Sequence, residues 1–181
     1  VRIEGATVSL NIVGSRVNIS SSRLQGGTKG IALAVGADAV IEHVVISGMS
    51  EGGIDASVRS RIKVSDCKIE DVAVYGIQTA KQAVASIRNN QISGAKFGIM
   101  LNGEFPPLEG NILDNCEVAI ALIQASSGSI VRGNKITNST VGIGCHQFCS
   151  PVIEQNILEN CNKGIDCFQG SSPTIQQNRF I

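Results

Sequence analysis

Apolar residues recur along this sequence at two periods, a short one of two residues and a long one of 21 to 23 residues. The long period is clearest in a repeated Gly-Ile dipeptide. The dipeptide stands at Gly30-Ile31, Gly53-Ile54, Gly76-Ile77, Gly98-Ile99, Gly142-Ile143 and Gly164-Ile165, with Ala119-Ile120 in the remaining place. A repeat of roughly 20 to 50 residues indicates a stack of similar units, in which each unit buries its apolar residues against its neighbours.

Two further apolar columns keep the same long step, and they lie five residues apart. The first column is Ile19, Ile41, Val64, Ile87, Leu108, Val131, Ile153 and Ile175. The second column is Leu24, Ile46, Ile69, Ile92, Leu113, Ile136, Leu158 and Phe180. Two residues after each Ile of the dipeptide comes Leu33, Ala56, Thr79, Leu101, Leu122, Cys145 or Cys167. This spacing predicts short strands, separated by turns rich in Gly, Asn, Ser and Asp.

A polar column accompanies the apolar ones, two residues before the second column. It consists of Asn90, Asn111, Asn134, Asn156 and Asn178. Stacked Asn side chains can pass amide hydrogen bonds from one repeat to the next, and Asn tolerates left-handed turns. We therefore expect a structural ladder at a corner of each repeat; the alternative is that these Asn residues bind a ligand.

The repeat length excludes several solenoid classes. Helical repeats of about 34 to 47 residues need long segments of period 3.6, and leucine-rich repeats need another spacing of Leu and Asn. A unit of 21 to 23 residues with short strands and tight corners predicts an all-β fold, a single-stranded parallel β-helix of about eight coils. In that fold Ile153 stacks on Ile175, and Asn156 stacks on Asn178.

Two segments carry a family resemblance, "SIVRGNKITNSTVGI" at 129–143 and "SPVIEQNILENCNKGI" at 150–165. They resemble the repeats of pectate-lyase-like proteins and of the carbohydrate-binding and sugar-hydrolase (CASH) domains. The resemblance implies a right-handed helix. Members of this group include polysaccharide lyases, hydrolases and epimerases, but also non-catalytic recognition segments, so the fold does not choose the function.

Overall charge excludes some partners. The 15 basic and 15 acidic residues of the 181-residue chain cancel, so we expect neither nucleic acid nor a membrane surface as a partner. The chain starts at Val1 and stops at Ile181 within a repeat. We expect residues 1–181 to form one β-helix domain that is part of a longer chain.

Function must lie on side chains that point outward. Charges of alternating sign stand one residue after the first apolar column, at Arg88, Glu109, Arg132 and Glu154. They predict a ladder of ion pairs between successive coils. The strand face after each Gly-Ile is expected to be nearly uncharged. It is predicted to present Asp55, Gln78, Met100, Asn102, Ile123, His146, Asp166 and Phe168. An apolar stripe on a solenoid favours contact with a protein or polysaccharide partner, or self-association.

The alternative is a fragment of a carbohydrate-active enzyme of the lyase, hydrolase or epimerase type. Asp55 and Asp166 lie five coils apart, roughly 24 Å, too far for the carboxyl pair of a glycosidase. His146 and Asp166, one coil apart, are the best candidates for a catalytic pair. The basic run Arg59, Arg61 and Lys63 could bind an anion. Uniform coils leave little chain for a cleft, and aromatic residues make up only 3%, so we expect a non-catalytic recognition or scaffold segment.

The six Cys residues are expected to be free thiols. Cys145 should face inward and His146 outward, which argues against a shared metal ion, and we expect no cofactor. Cys145 and Cys167 are one coil apart and could form a disulfide, although stacked thiols are the simpler interpretation. Unpaired Cys residues favour a reducing, cytoplasmic location.

Overall fold

The computed structural model describes residues 1–181, and these residues form 25 short strands, numbered β1 to β25 in chain order, with no helix. The strands assemble into three parallel sheets, and the chain visits each sheet once in every coil. We name the sheets by their contents: the GI sheet holds the Gly-Ile strands, the charged sheet holds the predicted charge ladder, and the short-strand sheet holds the third strand of each coil. The predicted all-β, parallel β-helix is confirmed.

The strand bounds follow the repeat in all three sheets. The GI sheet contains β2 (Val8–Ile12), β5 (Lys29–Leu33), β8 (Gly52–Ala56), β11 (Tyr75–Thr79), β14 (Phe97–Asn102), β17 (Val118–Ile123), β20 (Val141–His146) and β23 (Lys163–Cys167). The charged sheet contains β3 (Arg16–Ser20), β6 (Asp38–Glu42), β9 (Arg61–Ser65), β12 (Val84–Arg88), β15 (Leu108–Glu109), β18 (Ile130–Arg132), β21 (Val152–Glu154) and β24 (Thr174–Gln176). The short-strand sheet contains β1 (Arg2–Glu4), β4 (Arg23–Gln25), β7 (Val45–Ser47), β10 (Lys68–Glu70), β13 (Gln91–Ser93), β16 (Ile112–Asp114), β19 (Lys135–Thr137), β22 (Ile157–Glu159) and β25 (Arg179–Phe180).

Equivalent residues of successive coils stack on one another in the core. Ile31 and Ile54 are register partners in the GI sheet, and both are fully buried. Ile153 pairs with Ile175 in the charged sheet, as the repeat predicts. Ile175 and Phe180 belong to the same core columns and are 48% and 55% exposed.

The predicted Asn ladder is present at the corner between the charged and short-strand sheets. The side-chain amide of Asn156 donates to Oδ1 of Asn178 over 2.9 Å, and Asn134 donates to Asn156 in the same way over 3.0 Å. Cys67 occupies the ladder position one coil before Asn90, and its backbone N–H donates to Oδ1 of Asn90 over 3.0 Å. In every coil the residue before the ladder position has a positive φ, which turns the chain sharply toward the next sheet. These residues are Ser21, His43, Asp66, Asn89, Gly110, Gly133, Gln155 and Gln177.

The glycine of the dipeptide is required by packing. A Cβ atom on Gly53 would lie 2.5 Å from the carbonyl oxygen of Gly76 and 2.8 Å from Cγ2 of Ile69. Gly53 therefore faces the core, and Ile54 beside it is also buried. Because two successive residues face inward, the alternation restarts at each dipeptide, and the residue before the glycine faces outward together with the residue after the isoleucine.

The outer face of the charged sheet carries the predicted charge ladder. The Glu109 carboxylate lies 3.0 Å from the guanidinium of Arg88 and accepts a hydrogen bond from Arg132 over 2.7 Å. Arg132 is in register with Glu154, which accepts a hydrogen bond from Gln176 over 2.7 Å. These exposed pairs contribute at most about 1 kcal/mol each, so their main effect is to favour the observed register. No helix in the structure could span a membrane.

Candidate functional site

The outer face of the GI sheet has a set of side chains after the isoleucine, which the sequence pattern predicted, and a second column before the glycine, which it did not. The predicted set lies one and three residues after the isoleucine and includes Asp55, Gln78, Met100, Asn102 and Ile123. The second column precedes the glycine and consists of Lys29, Gly52, Tyr75, Phe97, Val118, Val141 and Lys163. Strict alternation would place this second column inside. The glycine of the dipeptide faces inward, and this is the signal that could have shown that the residue before it faces outward.

Five polar side chains of these columns and the preceding turn form one hydrogen-bonded network, here called the polar cluster: Lys29, Glu51, Asp55, Tyr75 and Gln78. Nζ of Lys29 lies 2.7 Å from Oδ2 of Asp55 and 3.0 Å from Oε1 of Glu51. The Tyr75 hydroxyl lies 3.2 Å from each of those two carboxylates, and Gln78 donates to Asp55 over 3.3 Å. The expectation of a nearly uncharged face is therefore wrong at this end, because Lys29 and Glu51 were not assigned to it.

Gly52 creates the space that holds Tyr75 in the polar cluster. Gly52 is the register partner of Tyr75, and a Cβ atom there would overlap the Tyr75 ring. The ring lies over the bare backbone of the neighbouring coil, and Tyr75 is only 3% exposed. An aromatic residue thus fits flat against the sheet only because the preceding coil has no side chain at this position.

The cluster holds its protons firmly. Burial acts to lower the pKa of Lys29, but hydrogen bonds to Asp55 and Glu51 outweigh it and raise that pKa above its ordinary value. Burial and the negative charge of Asp55 raise the pKa of the Tyr75 hydroxyl. At neutral pH Lys29 is therefore an ammonium ion paired with carboxylates, and Tyr75 is a neutral donor. Neither group is available as a base in this state.

The middle of the GI face is apolar. Met100, Asn102 and Ile123 are half-buried beside Phe97 and Val118 of the second column. Oδ1 of Asn102 is buried without a hydrogen-bond partner, while its backbone N–H donates to Thr79 over 3.2 Å. The middle therefore combines an apolar strip with one free amide acceptor.

The far end of the GI face combines an aromatic pair with an ion pair. The rings of His146 and Phe168 stack with centroids 5.0 Å apart and an interplanar angle of 19°. Lys163 lies 2.7 Å from Asp166 and 5.6 Å from the Phe168 ring centroid. Asp166 is thus engaged by Lys163, and the His146–Asp166 hydrogen bond that a catalytic pair needs is not formed.

All six Cys residues are free thiols, and three of them meet behind the far end of this face. Cys145 is fully buried, as expected, and is the register partner of Cys167. A hydrogen bond from Cys145 lowers the pKa of Cys149 below its ordinary value, and backbone N–H groups act in the same direction, with that of Ala125 donating to the Cys149 sulfur over 3.1 Å. Cys167 is exposed. No group of three or more His, Cys, Asp or Glu side chains is arranged to hold a metal ion.

The basic run lies elsewhere. Arg61 and Lys63 point outward from β9 on the charged sheet, while Arg59 lies in the turn before that strand with a φ of 62°. The run therefore does not contribute to the GI face.

The sequence matches the family described as the right-handed β-helix region over residues 6–147 and, in an overlapping second match, over residues 63–181. The chain belongs to the right-handed β-helix family. No curated protein matches this β-helix. Among solved structures it is similar to an alginate lyase from Paenibacillus sp. str. FPU-7, with a TM-score of 0.66 and 14% identity over 97% of this chain and 73% of that chain. At this identity the likeness shows the fold alone.

Proposed function

We propose that this β-helix is a non-catalytic recognition segment that binds a polysaccharide along the outer face of its GI sheet. The observation that carries the proposal is the composition of that face. An apolar strip around Met100 and Ile123 runs between the polar cluster at one end and the His146–Phe168 stack with Lys163 at the other.

Sugars present apolar C–H faces and many hydroxyl groups, so their sites combine apolar or aromatic surface with a few placed polar groups. The GI face offers both along the helix axis, where an extended chain of sugars can lie across successive coils. The similar fold of a lyase that acts on alginate supports a carbohydrate ligand over a protein one.

The state of the polar cluster supports binding rather than catalysis. A general base must be able to accept a proton near neutral pH. Tyr75 is protonated and almost fully buried, and Lys29 is charged and bridges two carboxylates. Tyr75 and Lys29 therefore act as hydrogen-bonding groups rather than as a free acid and base.

The experiment is to replace Met100 and Phe168 by Asp in one variant and to measure its binding to a panel of acidic and neutral polysaccharides by calorimetry. A charge buried against a sugar face loses its hydration, so affinity should fall about tenfold or more. Ile112→Asp is the matched control, because Ile112 is 46% exposed on the short-strand sheet. Equal affinities of the Met100/Phe168 variant and the control would contradict the proposal. So would binding of the chain to a protein or to a second copy of itself, but to no polysaccharide.

A second candidate function is a carbohydrate-active enzyme, and the polar cluster is the observation that favours it. Glu51 and Asp55 contact the ammonium group of Lys29 at 3.0 and 2.7 Å. Their contacting oxygens are therefore close enough together to match the separation of about 5 to 5.5 Å between the two carboxyl groups of retaining glycosidases. The sequence pattern placed no such pair on this face. If the polysaccharide that binds is also cleaved, and Glu51→Gln abolishes cleavage without loss of binding, the enzyme is the correct alternative.

A further inference from the structure

A shallow groove of about 430 Å³ lies on the outer face of the charged sheet, away from the GI face. We call it the basic groove. It is lined by Arg16, Asp38, Val40, Arg61, Lys63 and Val84. The uniform coils were expected to leave little chain for a cleft. This groove is formed mainly by side chains of neighbouring strands in one sheet.

Parallel register sets the arrangement of the groove. Asp38 is the register partner of both Arg16 and Arg61, so these three side chains form one row across three coils. Val40 and Lys63 are partners in the next outward row, two residues along each strand. Neighbouring coils are about 4.8 Å apart. Arg61 and Lys63 therefore stand two residues apart on one strand face, with Val84 and Val40 as their register partners in the adjoining coils.

The cations of the groove are incompletely neutralised. Asp38 lies 3.3 Å from Arg16 and 4.0 Å from Arg61, while Lys63 has neither a carboxylate within 4.0 Å nor a hydrogen-bond partner. Further along the same sheet, Glu109 likewise contacts two arginines, Arg88 and Arg132, so the unpaired Lys63 is what distinguishes the groove. The groove lining carries three cations and one carboxylate, and the exposed Glu42 lies on the same strand face two residues beyond Val40.

We infer that the basic groove binds a sugar ring that carries one anionic group. The planar guanidinium of Arg61 matches a carboxylate or sulfate with two hydrogen bonds, and Lys63 adds an unpaired ammonium. Val40 and Val84 supply the apolar surface on which the C–H face of the ring rests. The groove lies on a different sheet from the proposed polysaccharide face, so its occupation does not depend on that proposal.

The test is calorimetric titration of the full chain with an oligouronate, with a sulfated oligosaccharide and with a neutral oligosaccharide of matched length. The double variant Arg61→Gln/Lys63→Gln should weaken binding of an anionic probe about tenfold or more. Added salt should weaken binding to the unaltered chain, because the pairs are solvent-exposed. Lys135→Gln, on the short-strand sheet, is the matched control. The Met100/Phe168 variant should bind the anionic probe in the groove as the unaltered chain does. Whichever anionic probe responds identifies the group as a carboxylate or a sulfate.

The inference is overturned if neither anionic probe binds, if the neutral probe competes equally, or if the double variant binds like Lys135→Gln. Circular dichroism of the double variant separates loss of the site from loss of the fold. If groove binding is lost in the double variant while the GI face still binds polysaccharide, the two surfaces are independent.

Discussion

At the scale of single residues, the missing side chain of Gly52 determines where the Tyr75 hydroxyl lies. The ring occupies the space that a Cβ atom would fill, and its hydroxyl reaches the two carboxylates that also bind Lys29. One glycine therefore brings together polar groups from three successive coils.

Gly52→Ala should displace the Tyr75 ring and release its hydroxyl to solvent. The pKa of Tyr75 should then fall toward the ordinary tyrosine value of about 10. Because the chain has one Tyr and no Trp, ultraviolet titration of tyrosinate reports this residue alone. Gly128→Ala is the matched control, since the nearest atom to a Cβ there is 3.7 Å away. An unchanged Tyr75 titration in Gly52→Ala would show that the ring is not held by this contact.

Stability should fall at alkaline pH through the same residues. The pKa values of Lys29 and Tyr75 are raised in the folded chain. Their contribution is therefore complete below the unfolded values of about 10 and is lost as pH rises through the folded values. Urea unfolding at a series of pH values should show this decline above about pH 10, and Tyr75→Phe should reduce it. A decline of the same size in Tyr75→Phe would assign it to other groups.

At the scale of the repeated element, the Asn ladder connects each coil to the next through buried amides. Oδ1 of Asn134 accepts from the backbone and side-chain nitrogens of Asn111, each over 3.0 Å. Its own amide donates to the carbonyl of Leu108 over 3.0 Å and to Asn156. Each Asn thus satisfies polar groups of three coils at once.

Asn134→Ala should lower the free energy of unfolding by roughly 2 to 4 kcal/mol, because it leaves several buried donors and acceptors without partners. Asn178→Ala is the control within the same ladder, since Asn178 is only half-buried. Urea denaturation followed by circular dichroism measures both. Equal losses for the two variants would mean that the ladder adds nothing beyond local hydrogen bonds.

The repeat also explains which features could be predicted from sequence. The long period assigned Ile153, Asn156 and their partners correctly, because every coil presents the same residue at the same place. The polar cluster was missed because Lys29 and Tyr75 precede the glycine, where the alternation restarts, and because Glu51 lies in a turn without strand periodicity. Period-two reasoning fails wherever two successive residues face the core.

At the scale of the whole molecule, three flat faces run the length of one solenoid, and each has a different composition. The GI face is mixed polar and apolar, the charged face has paired ions with one basic groove, and the short-strand face offers sites such as Ile112 for control substitutions. Core positions repeat from coil to coil, while the outward residues differ from one coil to the next. Core columns could therefore be predicted, whereas contacts between outward side chains needed the structure.

The most direct test of the central claim is to map the polysaccharide on the chain by nuclear magnetic resonance. Backbone amide shifts are followed while an oligosaccharide of the binding polysaccharide is added to the Arg61→Gln/Lys63→Gln variant, in which the basic groove does not contribute. If the GI face binds the polysaccharide, the largest shifts should occur in β11, β14, β17 and β20 of the GI sheet. Shifts confined to the short-strand or charged sheet, with the GI sheet unchanged at saturation, would contradict the claim.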